Sequence, residues 1–339
     1  MNARSQPSAM GDTLIGVLTV TLTLAGWTVT PLFIKFFTGH IDPWTSNGWR
    51  YGFAALLWSP LLVWGQLRKS LPPGLFRAAL IPAMVNSAAQ VAFTTAHYKI
   101  DPGLLTFGLR AQMIFVAIGA ALLFPTERRV IRSRPFMFGV GLVVLGTVGT
   151  ILMGEPVESE RSSYVSGVIL AILAGAGFAG YAIAVRRYMD DIPSLLAFAA
   201  ISLYTAVAMV VMMLIFGEGL GVGALDLSGR LFAFLLLSSV IGIALGHVLY
   251  YISIKRLGVA VSTGVIQLQP VCVSVLSYIW FKEVLTLGQW ASGSLAIVGA
   301  LLMLWVQHRI KSNAERDHEY DTLPPDHVAA ASMCEGEPD

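Results

Sequence analysis

Ten apolar runs, each long enough to cross a hydrocarbon core of ~30 Å, recur along the 339 residues of the chain. They fall at 13–37, 47–66, 75–98, 103–124, 135–153, 164–186, 194–216, 230–254, 261–281 and 286–307. In lipid every backbone N–H and C=O must find its partner within the spanning structure, so runs of this length are helices. Composition agrees: 55% of residues are hydrophobic and 12% charged, against ~25% charged in a soluble chain. The fold class is therefore an all-α polytopic membrane protein with ten transmembrane helices.

The basic residues divide unevenly between the two sides. With the N-terminus in the cytoplasm, that side holds Arg4, Arg68, Lys69, Arg77, Arg128, Arg129, Arg132, Arg134, Arg186, Arg187, Lys255, Arg256, Arg309, Lys311 and Arg316. The other side receives Lys35, Arg50, Lys99, Arg161, Arg230 and Lys282, and Arg110 is left within the membrane. This bias places both termini in the cytoplasm, as an even helix count requires. The expected location is the plasma membrane, with a bacterial inner membrane as the leading reading. The first run is too long for a signal-peptide core and carries Trp27 and Pro31, so it reads as a retained helix. Cys272 falls in a span and Cys334 in the C-terminal tail, which leaves disulfides no part. The tail after Lys311, acidic and containing "LPPD", reads as a disordered extension.

The two halves of the chain match weakly. "GVLTVTLTLAGWTVTPLFIKFF" from Gly16 aligns with "GVILAILAGAGFAGYAIAVRRY" from Gly167, pairing Ala25 with Ala176 and Gly26 with Gly177. At a slightly larger offset Lys99 meets Lys255, Gly108 meets Gly264, and Glu127 meets Glu283. Two five-helix units follow, 13–153 and 164–307, joined by an external linker at 154–163 and flanked by tails at 1–12 and 308–339. Five is odd, so the second unit enters the membrane from the opposite side. The loop "PTERRVIRSRP" is basic and its counterpart "FKEVLTLG" is not, as inversion requires.

The second half, "GHVLYYISIKRLGVAVSTGVIQLQPVCVSVLSYIWFKEVLTLGQWASGSLAIVGALLM", resembles an EamA domain of the drug/metabolite transporter superfamily. The matching features are the aromatic-rich helix before "RLG", the "LQPV" of the next helix, the "KE" that ends it and the closing "IVGALLM". The first half departs at two places: Ile114 stands where "LQPV" has Pro270, and "PTERR" replaces "FKEVL". The resemblance covers residues 13–307 and implies a ten-helix carrier with a central cavity.

Outside the tail, every Asp and Glu lies in a loop or at a helix end. This excludes a carboxylate pair for hydrolysis, a membrane-embedded metal cluster and the usual buried acid of a proton relay. On the third helix Asn86, Gln90, Thr94 and His97 share one face. Such a stripe lines a cavity or hydrogen-bonds a neighbouring helix. Gln267 and Gln269 precede Pro270, whose missing N–H frees the carbonyl of Ile266, and Pro31 frees that of Trp27. Those carbonyls meet a glutamine, meet a substrate or merely mark kinks. His247, one turn from Tyr250, is either a proton carrier or a neutral hydrogen-bonding residue. Trp27 is a cavity wall or a packing residue. "GAGFAG" at 175–180 spells a dinucleotide fingerprint, but inside a span with no preceding strand it reads as small residues for close packing.

Arg110 sits about 9 Å into its helix at ~1.5 Å per residue. It snorkels, bonds backbone carbonyls, or meets an anionic group on a substrate, for which its fork is suited. Its repeat counterpart is Ile266, so the repeat itself needs no charge there. The expected substrate-binding set is Arg110, Gln90, Asn86, Trp27, Thr94, His97, His247, Tyr250, Gln267 and Gln269, with no metal and no cofactor. The expected partners are a small-molecule metabolite and the lipid bilayer, without nucleic acid, for a monomeric chain. The expected activity is secondary transport of an anionic or zwitterionic metabolite such as an amino acid. An exporter of lipophilic drugs or cations, and an intramembrane enzyme or receptor, are the alternatives.

Overall fold

The computed structural model of the protein describes residues 9–125, 128–154, 161–257 and 259–322. Regular structure among them is entirely helical. Ten helices have membrane length: α1 (Thr13–Phe37), α2 (Pro43–Leu67), α3 (Leu75–His97), α4 (Pro102–Leu123), α5 (Arg134–Leu152), α6 (Arg161–Tyr188), α7 (Ser194–Phe216), α8 (Gly229–Leu257), α9 (Val261–Phe281) and α10 (Leu287–Ile310). All but α2 are also strongly apolar. That helix has 25 residues but carries Asn47 and Arg50 within it.

Local chemistry sets the ends. Asp42 caps α2, accepting from the backbone N–H of Trp44 at 2.9 Å and of Thr45 at 3.0 Å, with Pro43 at the first helical position. A side-chain acceptor and a proline that needs no N–H partner both favour a start there. The helix therefore begins before the expected 47, and Arg50 lies about two turns inside it rather than at its outer end. At the other end of the chain the helix of α10 runs on to Thr322, into the stretch read as a disordered tail. Extending an existing helix needs no new nucleus, and Ala314, Glu315 and Arg316 are good helix formers. Arg4, Glu127, Cys334 and linker positions 155–160 lie outside the described residues.

The helices pair across the repeats. α2 packs on α7, α4 on α9 and α5 on α10, each joining equivalent helices of the two units. Among the other large pairings, α1 with α8 and α6 with α3 turn into one another when each helix is replaced by its counterpart five along. That exchange is what a twofold relation between two five-helix repeats demands. Large apolar side chains such as Leu18 and Leu22 of α1, or Leu145 and Val148 of α5, remain exposed and form the lipid-facing surface.

Two helices break at the same place. α4 is α-helical over Pro102–Gly108, tightens to a 3-10 turn over Leu109–Ala111, and resumes over Gln112–Leu123. α9 stops at Ile266, turns through Gln267 and Leu268, and restarts at Gln269. The register that pairs Glu127 with Glu283 pairs Arg110 with Ile266, so the breaks are repeat equivalents. Pro270 sits in the first turn of the restarted helix, where a missing N–H costs nothing. It begins a helix rather than kinking one.

The α5–α10 contact is backbone on backbone. A Cβ added at Gly146 would lie 2.3 Å from the backbone N of Ala296 and 2.6 Å from the carbonyl oxygen of Ser292, while one at Gly141 would meet nothing within 4 Å. Gly146→Ala is thus expected to lower the thermal midpoint of the detergent-purified protein, at an overpacking cost of ~1–3 kcal/mol. Gly141→Ala on the same helix should leave the midpoint unchanged or raise it, since alanine is the better helix former. Equal effects at the two positions would show that the close approach is not what matters.

Candidate functional site

A cavity of about 440 Å³ lies between the repeats, walled by residues of α1, α2, α3, α4, α6, α8 and α9. Both breaks open onto it, through Leu109, Arg110, Gln112 and Met113 of α4 and Ile266, Gln267 and Gln269 of α9. Aromatic rings form much of the wall, among them Trp27, Tyr51, Phe93, Phe178, Tyr181 and Tyr250. Its charged lining residues are Arg50 and Arg110, and no Asp or Glu lines it among the described residues.

Arg110 enters the cavity from the 3-10 turn of α4 and is only 8% exposed. Its Nη1 donates to Oε1 of Gln267 at 2.8 Å, its Nη2 to Oε1 of Gln269 at 3.3 Å, and its Nε to the carbonyl of Thr106 at 3.3 Å. The guanidinium neither snorkels nor stands alone. Amide oxygens from the second repeat solvate it, and they leave its charge uncompensated.

Gln269 works in two directions. Its Nε2 donates to the carbonyl of Trp27 at 2.8 Å, the acceptor that Pro31 leaves without a helical N–H. The freed carbonyl of α1 is thus satisfied across the repeat interface, by the same side chain that holds Arg110. The Trp27 indole donates to the carbonyl of Gly242 at 3.3 Å. That carbonyl belongs to a π-helical turn at Val240–Leu245 in α8, where widened backbone releases acceptors. The indole also packs edge-on to His247 at 5.4 Å and beside Tyr250 at 5.1 Å. A Cβ at Gly246 would lie 2.4 Å from the indole nitrogen, so the "GIALG" glycine makes room for the tryptophan.

His247 is held on its other side by Phe198, with ring centroids 5.0 Å apart. Its Nδ1 donates to the carbonyl of Ile243 at 3.3 Å. A carbonyl can only accept, so that nitrogen carries the proton. Tyr250 shares a hydrogen bond of 2.9 Å with Thr263 of α9.

The polar stripe of α3 divides. Gln90 lines the cavity. Asn86 turns to α7 and donates to Thr205 at 3.1 Å. Thr94 donates to Oδ1 of Asn47 in α2 at 2.7 Å, and the amide of Asn47 reaches the carbonyl of Gln90 at 3.4 Å. His97 is fully buried, with Nδ1 on the carbonyl of Phe93 at 2.8 Å. Four residues at spacings of four, four and three share a face, yet α3 presents that face to α2 and α7 as well as to the cavity. The structure thus brings Arg110, Gln90, Trp27, His247, Tyr250, Gln267 and Gln269 together, and sets Asn86, Thr94 and His97 between helices.

Sequence reasoning missed Arg50. It is 3% exposed, lines the cavity, and donates from Nε to Ser238 Oγ of α8 at 3.0 Å. The Ser239 hydroxyl donates to the Arg50 carbonyl. The signal that could have placed it deeper was Asp42–Pro43, which starts α2 about one turn before the expected 47.

Beyond the cavity, Lys35 at the end of α1 bridges Asp101 at 3.3 Å and Glu283 at 3.1 Å. Glu283 also accepts from the Ser277 hydroxyl. Burial raises the Glu283 carboxyl above the usual range, against the pull of Ser277 and Lys35. The cluster ties together the ends of α1, α4 and α9 on one side of the protein.

Single cysteines test the division of the α3 stripe, in a background with Cys272 and Cys334 replaced by serine. Gln90→Cys should react with a polar thiol reagent, and Asn86→Cys and Thr94→Cys should be protected. Equal reactivity at all three would mean that the whole stripe faces water.

A profile of the EamA-like transporter family matches residues 14–152 and again 165–305. No curated protein sequence matches the chain. A solved structure described as "Crystal structure of protein" superposes with a TM-score of 0.56 at 16% identity, over 89% of this chain and 99% of its own. At that identity the likeness is one of fold. The two profile matches cover both five-helix units and leave out only the linker and the tails: the chain belongs to the EamA-like transporter family.

Proposed function

We propose that the protein is a secondary transporter of a small organic metabolite that carries a negative group, moved by alternating access through the central cavity. One observation carries the reading: a buried guanidinium, Arg110, reaches a cavity between the repeats that no carboxylate lines among the described residues. A charge in such a place is costly unless something of opposite sign comes to it. Arg110 has five N–H donors and spends three on Gln267, Gln269 and Thr106. Two remain for a carboxylate or phosphate. A cationic drug would meet only repulsion there.

Inverted repeats supply two states, because exchanging the conformations of the two units turns an opening on one side into an opening on the other. Broken helices that meet at the cavity are a recurring feature of such carriers. The Lys35–Asp101–Glu283 cluster would tie one side shut in one state. In this reading the side bearing Ser162 faces outward and both termini are cytoplasmic. A cysteine at Ser162 should label in intact cells with an impermeant reagent. Labelling only after permeabilisation would reverse the orientation.

Arg110→Gln is expected to weaken binding of the anionic substrate by roughly ten- to hundredfold, the worth of a hydrogen bond to a charged group. Arg110→Lys should recover part of it, because an ammonium lacks the planar fork. Uptake of candidate metabolites into proteoliposomes, with thermal melting of the empty protein as a folding check, measures both. Unchanged transport in a folded Arg110→Gln protein would remove the anion reading.

A further inference from the structure

Resting on the anion reading above, we infer that Arg50 is a second anion anchor and that the substrate is an organic dianion, with two acidic groups held apart by an apolar or aromatic spacer. The first ground is the donor inventory. Of the five N–H donors of Arg50, only Nε has a partner among the described residues, Ser238 at 3.0 Å. Four donors remain on a side chain that is 3% exposed and lines the cavity. None of the Nη atoms is sealed off without a partner, so they look into the cavity rather than into packed protein.

The second ground is placement. Arg50 enters the cavity from α2 and is held at Ser238 of α8, whereas Arg110 enters from α4 and is held at Gln267 and Gln269 of α9. The two guanidiniums thus reach one cavity from different helices and share no partner, so each offers its free donors separately. Much of the wall is aromatic, with Trp27, Tyr51 and Phe93 in it. A molecule that engages both guanidiniums presents two acidic groups on an apolar or planar frame.

The third ground is what the cavity lacks. An amino acid would leave its ammonium in a cavity with two guanidiniums and, among the described residues, no carboxylate to receive it. That disfavours a zwitterion and favours net negative charge.

The test uses the purified full-length protein and a panel of probes: succinate, adipate and terephthalate as dianions, butyrate and benzoate as monoanions, leucine and phenylalanine as zwitterions. Thermal stabilisation and calorimetry should show at least one dianion binding ~tenfold or more tightly than any monoanion or zwitterion. Arg50→Met and Arg110→Gln should each reduce that dianion to the affinity of a monoanion. If Arg50→Met fails to fold, Arg50→Lys replaces it, and a smaller loss confined to the dianion is expected. Monoanions or zwitterions binding as tightly as every dianion would overturn the inference and leave the single-anion reading standing. So would a folded Arg50 variant with unchanged dianion affinity. No binding by any probe at millimolar concentration would sink both.

Discussion

The hydrogen bonds from Arg110 to Gln267 and Gln269 join the two repeats at the point where each is broken. A buried guanidinium needs solvation, and carboxylates would have neutralised it. Amides solvate it without cancelling it. The positive potential of the cavity, the bridge between α4 and α9 and the satisfaction of the Trp27 carbonyl all follow from that choice of side chain. Were Gln269 a glutamate, the site would hold an internal ion pair and offer far less to a visiting anion.

The pairing of helices obeys the twofold relation, but the chemistry laid on it does not. Arg110 stands opposite Ile266, and the two glutamines opposite Ala111 and Met113. The two ends differ as well. Lys35 joins Asp101 and Glu283 at one end, whereas its counterpart Arg186 lies 4.1 Å from the centre of the Phe124 ring at the other. A symmetric scaffold makes two states possible, and asymmetric side chains decide which is occupied and what is carried.

Hydrophobic length placed all ten helices in the sequence, because the thickness of the bilayer leaves few alternatives. Several ends, such as those of α1, α7 and α9, agree to the residue. The α2 start was legible only through Asp42–Pro43, a cap that hydropathy does not see. Without that cap Arg50 counts as a residue of the outer end, which hides half of the charge in the cavity. The stripe of α3 was visible, but periodicity gives a shared face without saying which neighbour that face meets. Asn47 and Thr205 claimed two of its members. Gln269 stands out in the sequence for its place beside Pro270, yet it serves the carbonyl that Pro31 frees, through a contact between residues 242 positions apart that no local rule reaches.

The relay from Arg110 through Gln269 to Trp27 contains no group that ionises in the ordinary range. An arginine stays charged, an amide stays neutral, and a peptide carbonyl only accepts. The register between α4, α9 and α1 is therefore insensitive to proton concentration, unlike a carboxylate-based latch that slackens in acid. A cell whose surroundings swing in acidity would keep the same grip at this point of the protein, and any response to protons has to enter elsewhere, through groups such as Glu283 at the rim.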